Sequence, residues 1–265
     1  MIRAIFFDVD GTLLSFQTHE MTELTRKSLD ELKKKGVKLF IATGRSPLSF
    51  QHLSKLINYD FDGYIFCNGQ YVTIGEQVIH DQPLDRDGLV VLSKYIENKE
   101  IATTFTEIDY SYMNLINDRV YKLQEMLGHT LIEPELQDMS KRIMEHKTYQ
   151  LSAYIVDEEE DEFFNISDKF RGVRWHPIFT DVIPRDGGKD VGIQKVLDFY
   201  GFDRSEAMAF GDGGNDTDMI SYVAYGIAMG NAVESAKKAS VYVTAEAENE
   251  GIYKALRKFD LVGEL

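Results

Sequence analysis

The 265-residue sequence lacks several features that mark special classes of protein. Cys67 is the only cysteine, so no intramolecular disulfide can form. Proline is scarce and no low-complexity tract occurs, so long linkers are not expected. No repeat with a period of roughly 20 to 50 residues is present, which argues against solenoids and propellers. Apolar runs stay short of the roughly 18 residues that a membrane span needs, and the N-terminal run ends in acids, so we expect neither a span nor a signal peptide.

Positive charge is also scarce, because 29 Lys and Arg residues stand against 44 Asp and Glu residues, for a net charge of −15. Nucleic acids and anionic membranes bind basic surfaces, so the charge balance disfavours both kinds of partner. If the substrate is an anion, cations must be concentrated at the site that binds it. We expect a cytoplasmic protein that is a monomer or a homodimer.

What the sequence does contain is enough apolar side chain, 43% of residues with 16 Phe, for a sizeable core. Short apolar strands alternate with helices in the first third of the chain, as in IRAIFF, the helical segment 21–35 and VKLFIAT. The same alternation resumes from 189 to the C-terminus. This pattern predicts an α/β fold with parallel strands and right-handed crossovers.

The middle of the chain has a different pattern. Predicted strands with alternating or aromatic character lie at 102–108, 111–116, 149–156 and 175–183, and predicted helices lie near 85–98, 118–127 and 158–169. This mixture predicts an α+β insert with antiparallel strands. We therefore predict a catalytic core from 1–82 and 183–265 and an inserted domain at 83–182. The acidic run DEEEDE at 157–162 is predicted to begin a solvated helix rather than to bind a cation.

Polar residues follow the predicted core strands at the points where they end. They occupy 8–12 (DVDGT), 42–45 (ATGR), 68–69 (NG) and 211–216 (GDGGND). Lys189 begins the predicted helix that precedes the strand ending at 211–216. Ligands of open parallel sheets bind beyond the carboxyl ends of the strands. These segments are therefore the candidate active site. Within them we interpret 68–69 as a turn rather than a ligand, and Cys67 as a buried strand residue rather than a reactive thiol.

Four acids, Asp8, Asp10, Asp212 and Asp216, would converge if their strands are neighbours. Several carboxylates at close range cannot all stay ionised without a cation. Oxygen ligands suit a hard divalent ion, and Mg²⁺ fits a site that must also hold a phosphate. Neither DVDGTL nor DGGNDT has the glycine at the sixth position that an EF-hand loop requires. The glycine-rich nucleotide-binding motifs are also absent.

Groups that could bind a phosphate lie in the same segments. Thr43 could donate to a phosphoryl oxygen, and Lys189 could neutralise another as a point charge. Gly44 allows a close approach of the backbone. The amides of Val9 and Asp10, in a tight turn, could form an anion-binding nest.

The segments FFDVDGTLL, ATGR, Lys189 and GDGGNDTDM resemble, in order and spacing, the four motifs of the haloacid dehalogenase superfamily. The insert resembles the large α+β cap (C2B-type) of Cof-type hydrolases, and the chain is most similar to bacterial sugar-phosphate phosphatases. The resemblance covers nearly the whole sequence and implies a Rossmann-like core. One departure is Asp190, because many relatives have Gly directly after the motif lysine; this acid either weakens phosphate attraction or faces the helix N-terminus and solvent.

The resemblance implies roles for individual residues. Asp8 would be the nucleophile that forms an aspartyl-phosphate, and Asp10 would protonate the leaving alcohol and then activate water. Mg²⁺ would be held by the Asp8 carboxylate, the Asp10 backbone carbonyl and Asp212. Asp216 would support this shell, and Arg45 either contacts phosphate or forms a structural pair. Contacts to the phosphoryl group would come from Val9, Thr43, Gly44, Lys189 and Asn215.

The predicted function is a Mg²⁺-dependent phosphatase of small phosphorylated metabolites, with hexose phosphates first. Asp10 favours phosphoryl transfer, because dehalogenases of the superfamily do not need an acid there. A phosphomutase or phosphotransferase, and a non-catalytic regulator that binds a phosphorylated effector, are the alternatives. The insert would select the substrate, and Trp175, His176 and Phe179 either present an aromatic face to it or pack the insert's own core.

Overall fold

The computed structural model describes residues 1–127 and 135–265 of the chain, which form two compact units. The core unit comprises 1–44, 51–81 and 188–265, and the insert unit comprises 45–50 and 82–187. That the core unit performs catalysis and the insert unit selects the substrate stays a prediction, as do the domain boundaries at 82 and 182.

The core unit is built on a sheet whose strands, labelled in chain order, are β1 (Ala4–Phe7), β2 (Lys38–Ala42), β3 (Gly63–Phe66), β4 (Tyr71–Ile74), β5 (Gln77–Asp81), β12 (Ala207–Gly211), β13 (Tyr225–Ala228) and β14 (Tyr242–Val243). The helices that accompany it are α1 (Glu23–Lys34), α2 (Pro47–Ile57), α7 (Lys189–Tyr200), α8 (Thr217–Tyr222), α9 (Glu234–Ala239) and α10 (Gly251–Lys258). The unit boundary at residue 50 falls within α2.

The sheet has the strand order β14-β13-β12-β1-β2-β3-β4-β5. The strands from β14 to β3 are parallel, and β4 and β5 are antiparallel additions. All four residues of β1 are buried, as expected for a central parallel strand that is covered on both faces. On one face Phe6 and Phe40 pack against apolar residues of α7, α8 and α9. The predicted α/β fold is confirmed.

The hairpin of β4 and β5 was not predicted. Its outer strand is largely exposed and carries no clear apolar alternation, so its sequence gives little strand signal. The hairpin extends the parallel sheet by two antiparallel strands, in the way that many doubly wound sheets end.

The insert unit is built on a second sheet, whose strands are β6 (Thr103–Thr106), β7 (Ser111–Met113), β8 (Glu135–Leu136), β9 (Gln150–Ala153), β10 (Phe170–His176) and β11 (Phe179–Pro184). Its helices are α3 (Arg86–Asn98), α4 (Asp118–Leu127), α5 (Met139–Glu145) and α6 (Asp157–Phe164). The strand order is β10-β11-β9-β6-β7-β8, antiparallel apart from the β7–β8 pair. The expected α+β character with antiparallel strands is confirmed.

Two predictions within the insert were wrong. The segment 175–183 is not one strand, because a turn at Pro177 separates β10 from β11. Proline lacks the N–H that a continuing strand would need. The helix predicted at 158–169 ends at Phe164, and β10 starts at Phe170. The acidic run does begin a helix, as predicted: α6 has four acids in its first turn, and the Val156 N–H donates to Glu159.

Among residues 1–127 and 135–265, no helix is long and apolar enough to cross a membrane.

Candidate active site

The strand order of the core unit brings the ends of β1 and β12 together. The two strands pair in parallel, with Phe7 opposite Phe210. The Asp8 N–H donates to the Phe210 carbonyl at 2.9 Å, so Asp8 continues the ladder for one more residue. Asp212 follows the neighbouring strand at the same edge. Two acids that are 204 positions apart in sequence therefore lie side by side.

Three buried acids form a cluster at this edge. One carboxylate oxygen from each of Asp8, Asp212 and Asp216 lies within 4.8 Å of the others. Lys189 is 1% exposed, and its Nζ donates to Oδ1 of Asp8 and to Oδ1 of Asp216, each at 2.6 Å. The first residue of α7 thus places a positive charge between two of the three acids.

Asp216 uses both of its carboxylate oxygens within the protein. Its Oδ1 accepts from Lys189, and its Oδ2 accepts the backbone N–H groups of Asp212 at 2.9 Å and Gly213 at 2.8 Å. Such a carboxylate holds the loop after β12 in shape. The predicted role of Asp216 beside the metal and phosphate shell stays a prediction.

Asp212 is held by two residues to which the sequence analysis assigned no role. Oδ1 of Asp212 accepts from the Thr12 hydroxyl at 2.9 Å, and Oδ2 accepts from the Asn231 side-chain amide at 3.0 Å. Thr12 belongs to the DVDGT segment of the candidate active site, although no role was predicted for it. Asn231 lies three residues after the end of β13, so its position just beyond a core strand is the signal in the sequence that indicates it.

The turn after β1 lies directly against Asp212. Gly11 has φ = +88°, a backbone conformation that favours glycine, and a Cβ at this position would lie 2.4 Å from Oδ2 of Asp212. Burial, then the charge of Asp216 and lastly the charge of Asp10 raise the pKa of Asp212. The Val9 carbonyl accepts the Leu14 N–H at 2.9 Å and closes the turn.

The electrostatics of the cluster follow from burial. Burial, and next the charge of Asp216, raise the pKa of Asp8 well above its ordinary value, although Lys189 acts in the opposite sense. Burial raises the pKa of Asp212 to about 7, with the charge of Asp216 as the second cause. Burial alone would lower the pKa of Lys189, but the charges of Asp216 and Asp8 outweigh it and raise that pKa.

Three carboxylates thus face one ammonium group, an excess of negative charge that a bound divalent cation would balance. The donor atoms are all oxygen, which fits a hard cation. The cluster is therefore compatible with a divalent metal. Four acids were predicted to converge, whereas the carboxylates of Asp8, Asp212 and Asp216 form this cluster without that of Asp10. That Asp10 contributes its backbone carbonyl to a metal site stays a prediction.

The end of β2 is tied to the end of β3. The Thr43 N–H donates to the Ile65 carbonyl at 2.8 Å, and the Thr43 carbonyl accepts the Asn68 N–H at 3.0 Å. Asn68 is 1% exposed and has φ = 53°, so the predicted turn is present, but its Oδ1 also accepts from the Asn215 amide at 3.0 Å. A Cβ at Gly44 would lie 3.1 Å from the Asn68 amide nitrogen. Three predicted phosphate-binding residues therefore gather around Asn68.

Other predicted residues belong to the insert unit. They are Arg45 and the aromatic residues, and the Trp175 indole there donates to Asp181 at 3.1 Å. The Phe179 ring lies 4.9 Å from the Trp175 ring and 5.4 Å from the His176 ring, so these three side chains pack on one another. Their contact with substrate stays a prediction.

Two further residues of the core unit were singled out in the sequence. Asp190 lies in the first turn of α7, where an acid interacts favourably with the helix N-terminus. Cys67 is buried as expected, although it lies in the turn just after β3 rather than in the strand.

The fold and the acid cluster agree with a comparison to known families. The model of the haloacid dehalogenase-like hydrolases matches residues 5–256. This chain belongs to that family. Among curated relatives of the hydrolase, "Putative phosphatase YkrA" from Bacillus subtilis (strain 168) is 35% identical over 260 residues, which cover 98% of both chains.

Solved structures support the same assignment for this hydrolase. The structure described as the HAD subclass IIB sugar phosphatase BT4131 is 34% identical, with a TM-score of 0.87, and the match covers 98% of this chain and 100% of that one. BT1666 from Bacteroides thetaiotaomicron, described among phosphatases of the superfamily, is 29% identical with a TM-score of 0.92. The match covers 99% of this chain and 96% of that one. The chain is a phosphatase of the Cof-type branch.

Proposed function

We propose that this phosphatase is Mg²⁺-dependent, that it hydrolyses small phosphorylated metabolites, hexose phosphates foremost, and that Asp8 forms an aspartyl-phosphate. One observation carries the proposal: the carboxylates of Asp8, Asp212 and Asp216 lie within 4.8 Å of one another, and Lys189 contacts Asp8 at 2.6 Å. A nucleophile, a set of oxygen ligands and a fixed positive charge are thus available in one buried cluster.

In the first step, a carboxylate oxygen of Asp8 bonds to phosphorus while the bond from phosphorus to the leaving oxygen breaks. Asp10, in its protonated form, gives its proton to that oxygen, so the alcohol leaves as a neutral molecule. Lys189 favours the ionised form of Asp8 that this attack needs, against the effect of burial.

In the second step, Asp10 is ionised and takes a proton from water as the water oxygen bonds to phosphorus. The bond between phosphorus and Asp8 breaks at the same time, and inorganic phosphate leaves. Asp8 is again a carboxylate and Asp10 is again protonated, so the enzyme returns to its starting form.

The negative oxygens of the transferring phosphoryl group need fixed donors. An ammonium group has three N–H donors, and Lys189 uses two of them on Asp8 and Asp216, which leaves one for a phosphoryl oxygen. The other proposed donors are the Thr43 hydroxyl, the Asn215 amide and the backbone of Val9 and Gly44.

Asp8, Asp212 and the Asp10 backbone carbonyl would hold Mg²⁺. When bound, the ion supplies positive charge that offsets the phosphoryl oxygens and the buried acids. Asp216 has both oxygens engaged by Lys189 and by backbone amides, which favours a supporting position beside the ion.

The proposed substrate class draws support from BT4131, which is described as a sugar phosphatase and is 34% identical to this chain. The insert unit would supply the selectivity. A cytoplasmic location, a monomeric or homodimeric state and the absence of nucleic-acid and membrane partners remain predictions.

The test is release of inorganic phosphate from p-nitrophenyl phosphate and from a panel of hexose, pentose and triose phosphates, with Mg²⁺ and with EDTA. We expect Mg²⁺-dependent turnover that Asp8→Asn abolishes. Asp198→Asn, which changes an exposed acid of α7, is the matched control and should keep wild-type activity. No turnover on any ester would refute a phosphatase and favour the regulator, and transfer to an added alcohol without phosphate release would favour a phosphotransferase.

A further inference from the structure

We propose that Asn231 is a positioning residue, which fixes the orientation of the Asp212 carboxylate and thereby sets the affinity of the site for Mg²⁺. This inference rests on the proposed function, because it assigns Asp212 to the metal site. The segment that carries Asn231 follows β13, one strand further along the sheet than β12.

The Asn231 side chain joins two loops of the site. Its Nδ2 donates to Oδ2 of Asp212 at 3.0 Å and to the carbonyl oxygen of Gly11 at 3.0 Å. An amide NH₂ group carries two hydrogens, so both bonds can form at once. The loop after β1, which carries Asp10, and the loop after β12, which carries Asp212, are therefore held together by one side chain.

The Asp212 carboxylate then has one protein donor on each oxygen. The Thr12 hydroxyl donates to Oδ1 at 2.9 Å, and Asn231 donates to Oδ2. Each carboxylate oxygen has a second lone pair, so a cation can still bind. The two donors fix the rotation of the carboxylate plane, which a single donor would leave open.

The backbone keeps Asn231 in place. The Met229 N–H donates to the Gly211 carbonyl at 3.0 Å, and the Val233 N–H donates to the Asp212 carbonyl at 2.9 Å. In sequence, Asn231 lies midway between these two donors. Their acceptors are the last residue of β12 and the residue that follows it. The side chain is thus held beside Asp212 by the fold and needs little ordering on metal binding.

Donors that orient metal ligands matter to affinity, and their loss typically costs about 10- to 100-fold in metal affinity or activity. Asn231 is itself exposed, so an alanine at this position leaves no cavity in the core. Loss of Mg²⁺ affinity in Asn231→Ala can therefore be separated from loss of folding. Asn231→Leu keeps a side chain of similar size without either donor hydrogen, and should weaken Mg²⁺ binding as much as Asn231→Ala does.

The experiment measures Mg²⁺ binding by isothermal titration calorimetry, without substrate, for the wild type, Asn231→Ala, Asn231→Leu and Asn249→Ala. Asn249 is an exposed asparagine of the core unit whose side-chain amide donates to Glu246 at 3.3 Å, so it is the matched control. We expect Kd to rise about 10-fold or more in both Asn231 variants. Asn249→Ala should bind like the wild type, and all melting temperatures in EDTA should agree closely.

An unchanged Kd in Asn231→Ala would overturn the proposal. The proposal would also be overturned if the melting temperature of Asn231→Ala in EDTA fell enough to account for the weaker binding. That result would make Asn231 merely structural. The proposed function fails separately, when the wild type binds Mg²⁺ but releases no phosphate from any ester. The calorimetric comparison still decides the role of Asn231 in that case.

Discussion

The buried acids of the cluster should make the metal-free protein less stable as the pH rises. Burial, and then the charge of Asp216, raise the pKa of Asp212 to about 7 in the folded protein, against an ordinary value of 3.8. The folded state therefore keeps a proton that the unfolded chain has lost. The stabilisation that comes from this proton is full below about pH 4, is lost as the pH rises towards about 7, and changes little above that value.

The size of the effect follows from the two pKa values of Asp212. At about 1.36 kcal/mol for each pH unit between them, the loss sums to about 4 kcal/mol. For a chain of this size about 1 kcal/mol corresponds to 2–4 °C, so the loss is on the order of 10 °C in melting temperature. The raised pKa of Asp8 acts in the same direction.

Asp212→Asn isolates this contribution, because the variant has no carboxylate to titrate at that position. Between about pH 5 and about pH 7.5 the loss is about 2.7 kcal/mol, so the melting temperature of the wild type in EDTA should fall by about 5–10 °C more than that of the variant. Asp198→Asn, in an exposed position on α7, should follow the wild type. The reasoning would be refuted if the melting temperatures of the wild type and Asp212→Asn changed equally with pH across this range.

Mg²⁺ should then restore the wild type at about pH 7.5, by about 2.7 kcal/mol at a hundredfold excess over Kd. Asp212→Asn should respond much less, because it lacks one of the ligands. A wild type with no response to Mg²⁺ would contradict the assignment of the acids to a metal site.

Two further predictions concern single side chains. Gly11→Ala should lose most Mg²⁺-dependent activity, because the added Cβ would meet Oδ2 of Asp212 at 2.4 Å. Gly36→Ala controls for backbone strain, because Gly36 has a similar positive φ but a Cβ there meets nothing within 4 Å. Equal activity in these two variants would contradict the steric argument. Trp175→Ala and His176→Ala should change the ranking of sugar phosphates by kcat/KM, and unchanged relative rates would show that neither residue contacts substrate.

The sequence alone predicted much of the core, because its signals are local. Apolar runs of four or five residues identify strands such as β1 and β2, and the polar residue after each run is read directly from the next position. Helix breaks such as Gly201 are equally local. The insert was predicted less well, because Pro177 lies in a stretch that otherwise reads as one aromatic strand.

Only the tertiary structure decided which of the predicted residues contact one another. Lys189 bonds to Asp8 and Asp216 because α7 begins at the edge of the sheet where β1 and β12 end. Asn231 meets Gly11, 220 residues away, because β13 pairs with β12 and β12 pairs with β1. The sequence alone determines which polar groups follow each strand, because the end of a strand depends on residues that are neighbours in the chain. The partners of those groups depend on strand order, which arises from the packing of segments that are distant in the chain.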